Sequence, residues 1–509
     1  HGFKKIYIAT GYTDLRRGID GLAAIIRFQF DLDPFDRDTL FLFCGRRSDR
    51  IKALLWEGDG FLLMYKRLNI GAFNWPRSAD EAVEISQEEY ERLMQGFEVI
   101  AKRPITEMKQ LPDMISRQYC FVPAKVEIEE HHIGVYADKK DEHMVRAPHQ
   151  KALLHGSLVS PSLGAAVMNG KYVNAVPLYR LEKEFERYGL AISRANMANW
   201  MIRLSEEYLS VFYDHLHRKI YDFDVIGADE TPVEVNKDGR PAGSKSYIWV
   251  YRSGGISSTH HIVLYEYQKT RNASHPVRFL KAYEGICVTD GYQVYHSAEK
   301  TLEHVTIAGC WVHARRYFDE ALKIIPQAVR SKSWGYLVMK QIQAIYREEG
   351  KLKDLKTEER LKQRQLVIKP LVDALFVYAK QHQVPVGTQG KLARAVTYLL
   401  NQEKYLRVFL ENGEVPMDNN ASERAIRGFC IGRKNWQLID TMRGAENSAI
   451  IYSIAETAKA NDLKPYEYFE HLLTEIPKHM EDTDLSFLDD LLPWSEKLPK
   501  EIKKTNKRS

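Results

Sequence analysis

Long apolar runs are missing from this chain: no stretch of about 18 apolar residues occurs, which argues against a membrane-spanning helix. Cysteine is scarce and scattered. Five residues, Cys44, Cys120, Cys287, Cys310 and Cys430, never form a CxxC pair, so neither a disulfide framework nor a cysteine-rich zinc site is expected, and a reducing compartment suits them. Charge of one sign is also lacking, since 73 Lys and Arg stand against 68 Asp and Glu, a net charge of +5. That balance allows a nucleic-acid partner without requiring one, and clustering has to decide. No basic-then-apolar leader opens the chain; the start at His1 rather than Met leads us to expect that its natural beginning lies upstream.

What is present reads as several globular units, because 509 residues exceed one ordinary core. Residues 1–100 read as a small α+β domain. It has a strand at Ile6–Ile8, a helix over Gly18–Phe30, a hairpin over Ile51–Leu68 turning at Gly58-Asp59-Gly60, and a polar helical stretch over Ser78–Phe97 with Ser86 and Glu89 spaced as a capping box. Residues 101–156 are weakly patterned and proline-punctuated, as a linker or small-module remnant would be. Residues 157–219 are helical. Ser160-Pro161, Pro177 and Ser193 mark starts and Gly189 a stop, the outline of a helix-turn-helix or equally of a packing module. In the first case Arg194, Asn196 and Asn199 would face base edges.

Over 220–325 the period changes. Strands at Val225–Ala228, Tyr247–Tyr251 and His261–Tyr267, then helix, strand, helix, strand and helix, follow the order of a ribonuclease-H-like core. Residues 326–414 read as a helical insertion and 415–460 as the second part of the core. Residues 461–509 form a C-terminal segment whose basic tail from Lys497 is expected to be disordered.

Two of the core strands run into an acid: Val225-Ile-Gly-Ala-Asp229 and Ile286-Cys-Val-Thr-Asp290-Gly. A carboxylate at the end of a buried strand is costly unless it has a partner or a metal. A third acid, Glu423, lies in Asp418-Asn-Asn-Ala-Ser-Glu423-Arg-Ala-Ile-Arg427 at a helix start. Singly each has a plain structural reading: turn chemistry for Asp290-Gly291, and a capping pair of Asn420 with Glu423 or a Glu423–Arg427 ion pair for the last. Together, in the order strand, strand, late helix, they make a set of oxygen ligands for a hard cation. Glu230 and Glu234 compete with Asp229, Glu234 by alternation along the strand. Arg424, Arg427, Arg433 and Lys434, with Trp436 interleaved, and Arg315 and Arg316 beyond the fifth strand, supply the basic surface that a phosphate backbone needs. Cys310 and His313 make a weak zinc signal, and His313 reads better as a supporting residue beside a carboxylate or phosphate.

The stretches GADETPVEV, CVTDGYQVYH, GCWVHARRYFDEAL, DNNASERAIRGFCIGRKNW and the closing LLPW resemble transposases of insertion-sequence family 66 over about residues 115–495. The resemblance implies a DDE transposase with a triad of Asp229, Asp290 and Glu423, holding two magnesium or manganese ions and no zinc. Its partner would be double-stranded DNA, both element ends and target. A homo-oligomer is compatible, a membrane is not, and the setting would be bacterial cytoplasm near the nucleoid. TGYTDLRRGIDGL and LFLFCGRRSDRIKALLWEGDGFLLMYKRL, within residues 1–100, are similar to the small accessory protein of the same element, normally a separate chain. The family often carries a cysteine-bearing zinc module near Tyr136–Lys140, where this chain has no cysteine. The expected activity is metal-dependent cleavage and strand transfer; the rival is a catalytically inactive DNA-binding protein that keeps the fold.

Overall fold

The computed structural model describes residues 3–77, 82–97, 118–120, 124–137, 144–148, 151–241, 243–385 and 388–504. The chain divides into two compact units, residues 1–122 and 123–509.

In the first unit β1 (Lys5–Ala9), α1 (Ile19–Phe28), β2 (Thr39–Cys44), β3 (Arg50–Trp56), β4 (Phe61–Arg67), β5 (Ala82–Ile85) and α2 (Gln87–Met94) follow one another. The sheet order is β4-β3-β2-β1-β5, with β1 and β2 parallel and the other pairs antiparallel. Strand β2, Thr-Leu-Phe-Leu-Phe-Cys, is buried throughout because it is central and covered on both faces, so it is apolar without alternation. The Ser86–Glu89 capping box forms, with Glu89 N donating to Ser86 Oγ at 3.2 Å and Ser86 N to Glu89 Oε2 at 2.8 Å. The single helical stretch expected over Ser78–Phe97 is corrected, although 78–81 lie outside the described residues. Ala82–Ile85 is a strand, because pairing with β1 satisfies that strand's open edge and buries Ile85.

The second unit begins with β6 (Val135–Ala137) and β7 (Met144–Arg146), a short antiparallel pair whose connecting residues 138–143 lie outside the described residues. Four helices follow: α3 (Pro161–Met168), α4 (Leu178–Arg187), α5 (Arg194–Leu204) and α6 (Ser210–Lys219). Ser160 and Ser193 cap α3 and α5 by accepting from Leu163 N and Asn196 N, and Pro177 stands before α4.

The large sheet comprises β8 (Val225–Lys237), β9 (Lys245–Ser253) and β10 (Val263–Gln268), then β11 (Gly285–Thr289) after α7 (Ser274–Phe279), and β12 (Val305–Gly309) after α8 (Gln293–Thr301). Its order is β10-β9-β8-β11-β12, antiparallel up to β8 and parallel beyond it. Helix α9 (Trp311–Ile324) leads into α10 (Gln327–Arg330), α11 (Trp334–Gly350), α12 (Thr357–Gln363), α13 (Lys369–Gln381), α14 (Lys391–Asn401) and α15 (Glu403–Arg407). These helices share a core in which Trp311, Phe318, Ile342, Phe376 and Leu399 are buried. Two buried arginines hold the loop that returns to the sheet. Arg364 donates to the carbonyls of Phe409 at 2.8 Å and Asn412 at 2.7 Å and pairs with Glu349, while Arg360 donates to Gly413 O at 2.8 Å. Buried charge is tolerated here because each guanidinium is fully partnered.

From that loop start α16 (Asn420–Trp436), β13 (Ile439–Thr441), α17 (Met442–Ala460) and α18 (Pro465–Glu475). Helix α17 covers the free edge of β10. Thr457 Oγ1 accepts from Val263 N at 2.9 Å and Ser453 Oγ from Tyr265 N at 2.7 Å, so side-chain hydroxyls replace a sixth ladder. The basic tail expected to be disordered from Lys497 is instead docked as far as Lys504. Leu498 and Ile502 are buried, and Lys464 N donates to Ile502 O at 2.7 Å. Two apolar residues suffice to hold a segment whose composition is otherwise charged. Among the described residues no helix is long and apolar enough to cross a membrane.

Candidate active site

Strand β8 does not end at Asp229, as its apolar start suggested. Its ladder with β9 runs on through Asp229↔Val250 to Glu234↔Lys245, and β13 pairs with its far end at Val235. The parallel neighbour is the one that stops: β8–β11 pairing ends at Gly227↔Val288, and β11 ends at Thr289. Asp229 therefore sits within a strand, at the level where the sheet loses its neighbour, and Asp290 is the first residue past the neighbour's end. Glu234 is exposed, and it shares strand parity with Glu230 rather than Asp229, so it does not compete for the site.

Asp229, Glu230 and Asp290 each offer a carboxylate oxygen, all within 4.8 Å of one another, a grouping that differs from the three acids the sequence singled out. Glu230 is fully engaged. Arg271 Nε donates to its Oε1 at 2.8 Å and Tyr295 Oη to its Oε2 at 2.6 Å, and the Arg271 guanidinium lies 3.6 Å over the Tyr292 ring. Asp229 Oδ1 accepts from Glu230 N at 2.8 Å and Asp290 Oδ1 from Tyr292 N at 2.9 Å. The second oxygen of each has no hydrogen-bond partner among the described residues. Burial pushes the Asp229 carboxyl up to about 8, with Glu230, Asp290 and Glu423 adding repulsion in the same direction.

Glu423, one turn into α16, faces this pair closely enough for its charge to act on Asp229. Its Oε1 is buried without a hydrogen bond, and His313 Nε2 and Arg316 Nη2 each stand 3.9 Å away. The alternatives raised by spacing fail. Asn419, not Asn420, precedes the helix, its side chain makes no cap, and the Glu423 ion pairs run to His313 and Arg316, not to Arg427. Burial lowers the His313 pKa against the pull of Asp290 and Glu423, and His313 Nδ1 has no partner. Burial raises the Cys310 thiol to about 12, and its Sγ accepts from Asn419 N at 3.3 Å.

Two contacts not evident from sequence lock the acids in place. The Asn419 side chain, 2 % exposed, donates from Nδ2 to Ala228 O at 2.8 Å, tying the start of α16 to the peptide before Asp229. Gly227 makes room for this, since a Cβ there would meet Ser422 Oγ and lie 2.8 Å from Asn419 Oδ1. Tyr398, on α14, donates to Asp290 O at 2.9 Å. Gly291 has φ +86°, and a Cβ on it would lie 2.7 Å from the Tyr398 hydroxyl, so no other residue fits after Asp290. The helical insertion thus positions the second aspartate.

Of the cationic residues that the sequence singled out, only Arg316 forms an ion pair with Asp229, Asp290 or Glu423 among the described residues. Arg315, Arg316, Arg424, Arg427 and Lys434 are exposed, and Arg315 lies 5.7 Å over the Tyr346 ring. Arg424 is rotated away from Glu423 toward Arg252 of β9, whose pKa it helps burial to lower. Arg433 is committed to the fold: its guanidinium donates to Thr231 Oγ1 at 3.2 Å and to Pro232 O. Arg194, Asn196 and Asn199 are exposed on the first turns of α5, with Arg194 6.0 Å from the Tyr179 ring centroid.

Residues 156–447 match the family model described as "Transposase IS66 family", residues 4–104 that of "IS66 Orf2 like protein", and residues 453–494 that of "IS66 C-terminal element". The Sinorhizobium fredii protein y4qI is 28 % identical over 372 residues, which cover 71 % of this chain and 67 % of that protein. Protein y4jC of the same organism is 36 % identical over 94 residues, 18 % of this chain and 80 % of its own. A chain of a Mos1 pre-cleavage transpososome is 14 % identical, covering 33 % of this chain and 63 % of that one, with a TM-score of 0.12, too low to bear on this chain. The first family match spans more than half of the sequence, and the chain belongs to the IS66 transposase family.

Proposed function

We propose that the chain is a DNA transposase that cleaves and joins strands at the ends of its element, with Asp229, Asp290 and Glu423 as metal-holding acids on a ribonuclease-H-like core. Three meandering strands followed by helix, strand, helix, strand and helix is the succession of that fold and supports the reading. The observation that carries the assignment is the distribution of spare oxygens. Asp229, Asp290 and Glu423 each keep one without a hydrogen bond among the described residues, while both oxygens of Glu230 are engaged.

The donor set fits a hard divalent cation. It is made of oxygens only, includes a buried one on Glu423 that makes no hydrogen bond, and carries repulsion that adds to burial at Asp229. Magnesium or manganese held by these acids would supply the charge that activates a water or a 3′-hydroxyl and steadies the departing oxygen. The chain's own residues do the remaining work. Glu230, clamped between Arg271 and Tyr295, fixes the wall behind Asp229 and keeps its carboxylate from swinging away. Tyr398 and Asn419 hold the main chain beside two of the acids, so their side chains are aimed before DNA arrives. His313 and Arg316 steady Glu423. Arg315, Arg316, Arg427 and Lys434 meet phosphates, with Arg424 on a flank, Arg433 shaping β8 beneath them, and Arg194 and Asn196 available to a second segment of duplex.

Incubating the protein with element-end DNA, with and without magnesium, tests this reading. Nicks at the element boundary that depend on the metal, and joined products when target DNA is added, are the expected result. Metal-independent binding with no cleavage would favour an inactive DNA-binding protein.

A further inference from the structure

The first unit plays no part in the proposed catalysis, yet it carries a surface of its own. Because β1 and β2 are parallel, their carboxyl ends at Ala9 and Cys44 open at the same edge of the sheet. Two loops leave it, residues 10–18 and 45–49, and they present Arg16, Arg17, Arg46 and Arg47 together with Tyr12, all exposed.

The backbone beneath these side chains is firmly built. Thr13 N donates to Cys44 O at 2.7 Å, joining the loops. Arg77 spans both, donating to Gly11 O at 2.5 Å, Gly45 O at 3.0 Å and Ser48 Oγ at 2.9 Å. Lys52 Nζ donates to Arg17 O at 2.9 Å. Arg46 lies 5.0 Å over the Tyr12 ring and reaches its hydroxyl at 3.4 Å.

The charge is one-sided. From 10 to 18 and from 45 to 52 the chain has six cationic side chains and two carboxylates. Asp14 is engaged by Arg16, and Asp49 by Arg47 and Arg50. Arg17 and Arg46 have no carboxylate partner among the described residues.

We propose that this edge binds the sugar-phosphate backbone of double-stranded DNA, giving the chain a DNA contact separate from the carboxylate site. Guanidinium groups on a fixed backbone match phosphate oxygens in forked pairs. A protein partner would want an apolar centre with charge at the rim. At this edge the centre is arginine, and the one exposed aromatic already carries a cation. DNA is chosen over other polyanions because the chain belongs to a transposase family; the proposal does not depend on which acids hold metal.

The test compares two variants of the full-length chain, each losing three cations of the first unit. One carries Arg17→Gln, Arg46→Gln and Arg47→Gln. The other carries Lys4→Gln, Lys5→Gln and Arg27→Gln, exposed at the opposite end of β1 and α1. Binding to a labelled duplex of arbitrary sequence is measured without metal over a series of salt concentrations. The slope of log affinity against log salt should fall by about 0.9 for each lost phosphate contact, so by two to three units in the loop variant and hardly at all in the other. Lysine at the same three loop positions should keep most of the slope. If the triple loop variant does not fold, Arg17→Gln and Arg46→Gln singly should each lose about one unit. Equal slopes in the loop and opposite-end variants would overturn the proposal. Absence of cleavage by the unmodified chain, with the slope difference between the variants present, would count against the catalytic reading alone.

Discussion

Asn419 spends its side-chain amide on the carbonyl of Ala228, 2.8 Å away, so the residue that opens α16 is bound to the peptide immediately preceding Asp229. Helix and strand come from opposite ends of the core's sequence, and the helical insertion lies between them. This bond ties the helix that carries Glu423 directly to the strand that carries Asp229.

Replacing Asn419 with Ala should therefore do two things. Leaving Ala228 O buried without its donor should cost about 1–3 kcal/mol of stability, read by denaturant unfolding. Cleavage should fall further than stability alone explains, at temperatures where the variant is fully folded. Asn419→Asp should not rescue, because a carboxylate cannot donate to a carbonyl.

Asp229 and Glu230 should respond unequally to neutralisation. Asp229 has a folded pKa raised from 3.8 to about 8, so its protonated form is favoured. Its contribution to stability is complete below pH about 4 and is lost as pH rises through about 8. Asp229→Asn should then stabilise the metal-free protein at pH about 9, on the order of 1 to 3 kcal/mol, while abolishing cleavage. Glu230→Gln should shift stability less, because burial raises the Glu230 pKa as well while Tyr295 and Arg271 hold part of its charge. Thermal unfolding of both variants without metal, at pH about 5 and 9, checks the difference.

The apparent affinity for magnesium should climb with pH. The proton on Asp229 must leave before the carboxylate can bind, so log affinity should rise by about one unit per pH unit below about 8 and then level off. Calorimetric titration in buffers of different ionisation enthalpy should show a proton released on binding. A flat profile would mean that Asp229 is not a ligand.

Much of the centre was legible because strands declare themselves by apolar runs. Val225–Ala228 and Ile286–Thr289 read plainly, and an acid following each marked where to look. The continuation of β8 past Asp229 was hidden, because Glu230, Pro232 and Glu234 look unlike a strand; pairing with β9 on one side outweighs their low propensity. Glu230 read as a competitor of Asp229 because its partners, Arg271 and Tyr295, lie far along the chain and only folding brings them in. Asn419 was masked by a spacing that suited a helix cap at Asn420. Tyr398 gave no signal at all, since a tyrosine on an insertion helix is ordinary core until its hydroxyl is seen on Asp290 O.

Arg427 and Arg433, alike in sequence, should separate in experiment. Arg427 is exposed, and Arg427→Gln should lower the salt slope of DNA binding by about one unit without affecting stability. Arg433 is bound to Thr231 and Pro232 of β8, so Arg433→Gln should destabilise the fold and change the slope less. Paired unfolding and salt titrations on the two variants distinguish these outcomes.

The most direct test of the metal-holding acids is the Glu423→Gln protein on element-end DNA with magnesium. The substitution keeps the side chain's size and the helix start, and removes one anionic ligand but no phosphate contact. DNA affinity should stay within about twofold, a change of less than about 0.5 kcal/mol, while cleavage falls below detection. Nicking at the unmodified protein's rate would contradict the assignment of Glu423 as a metal-holding acid, and with it the proposal that this carboxylate centre cuts DNA.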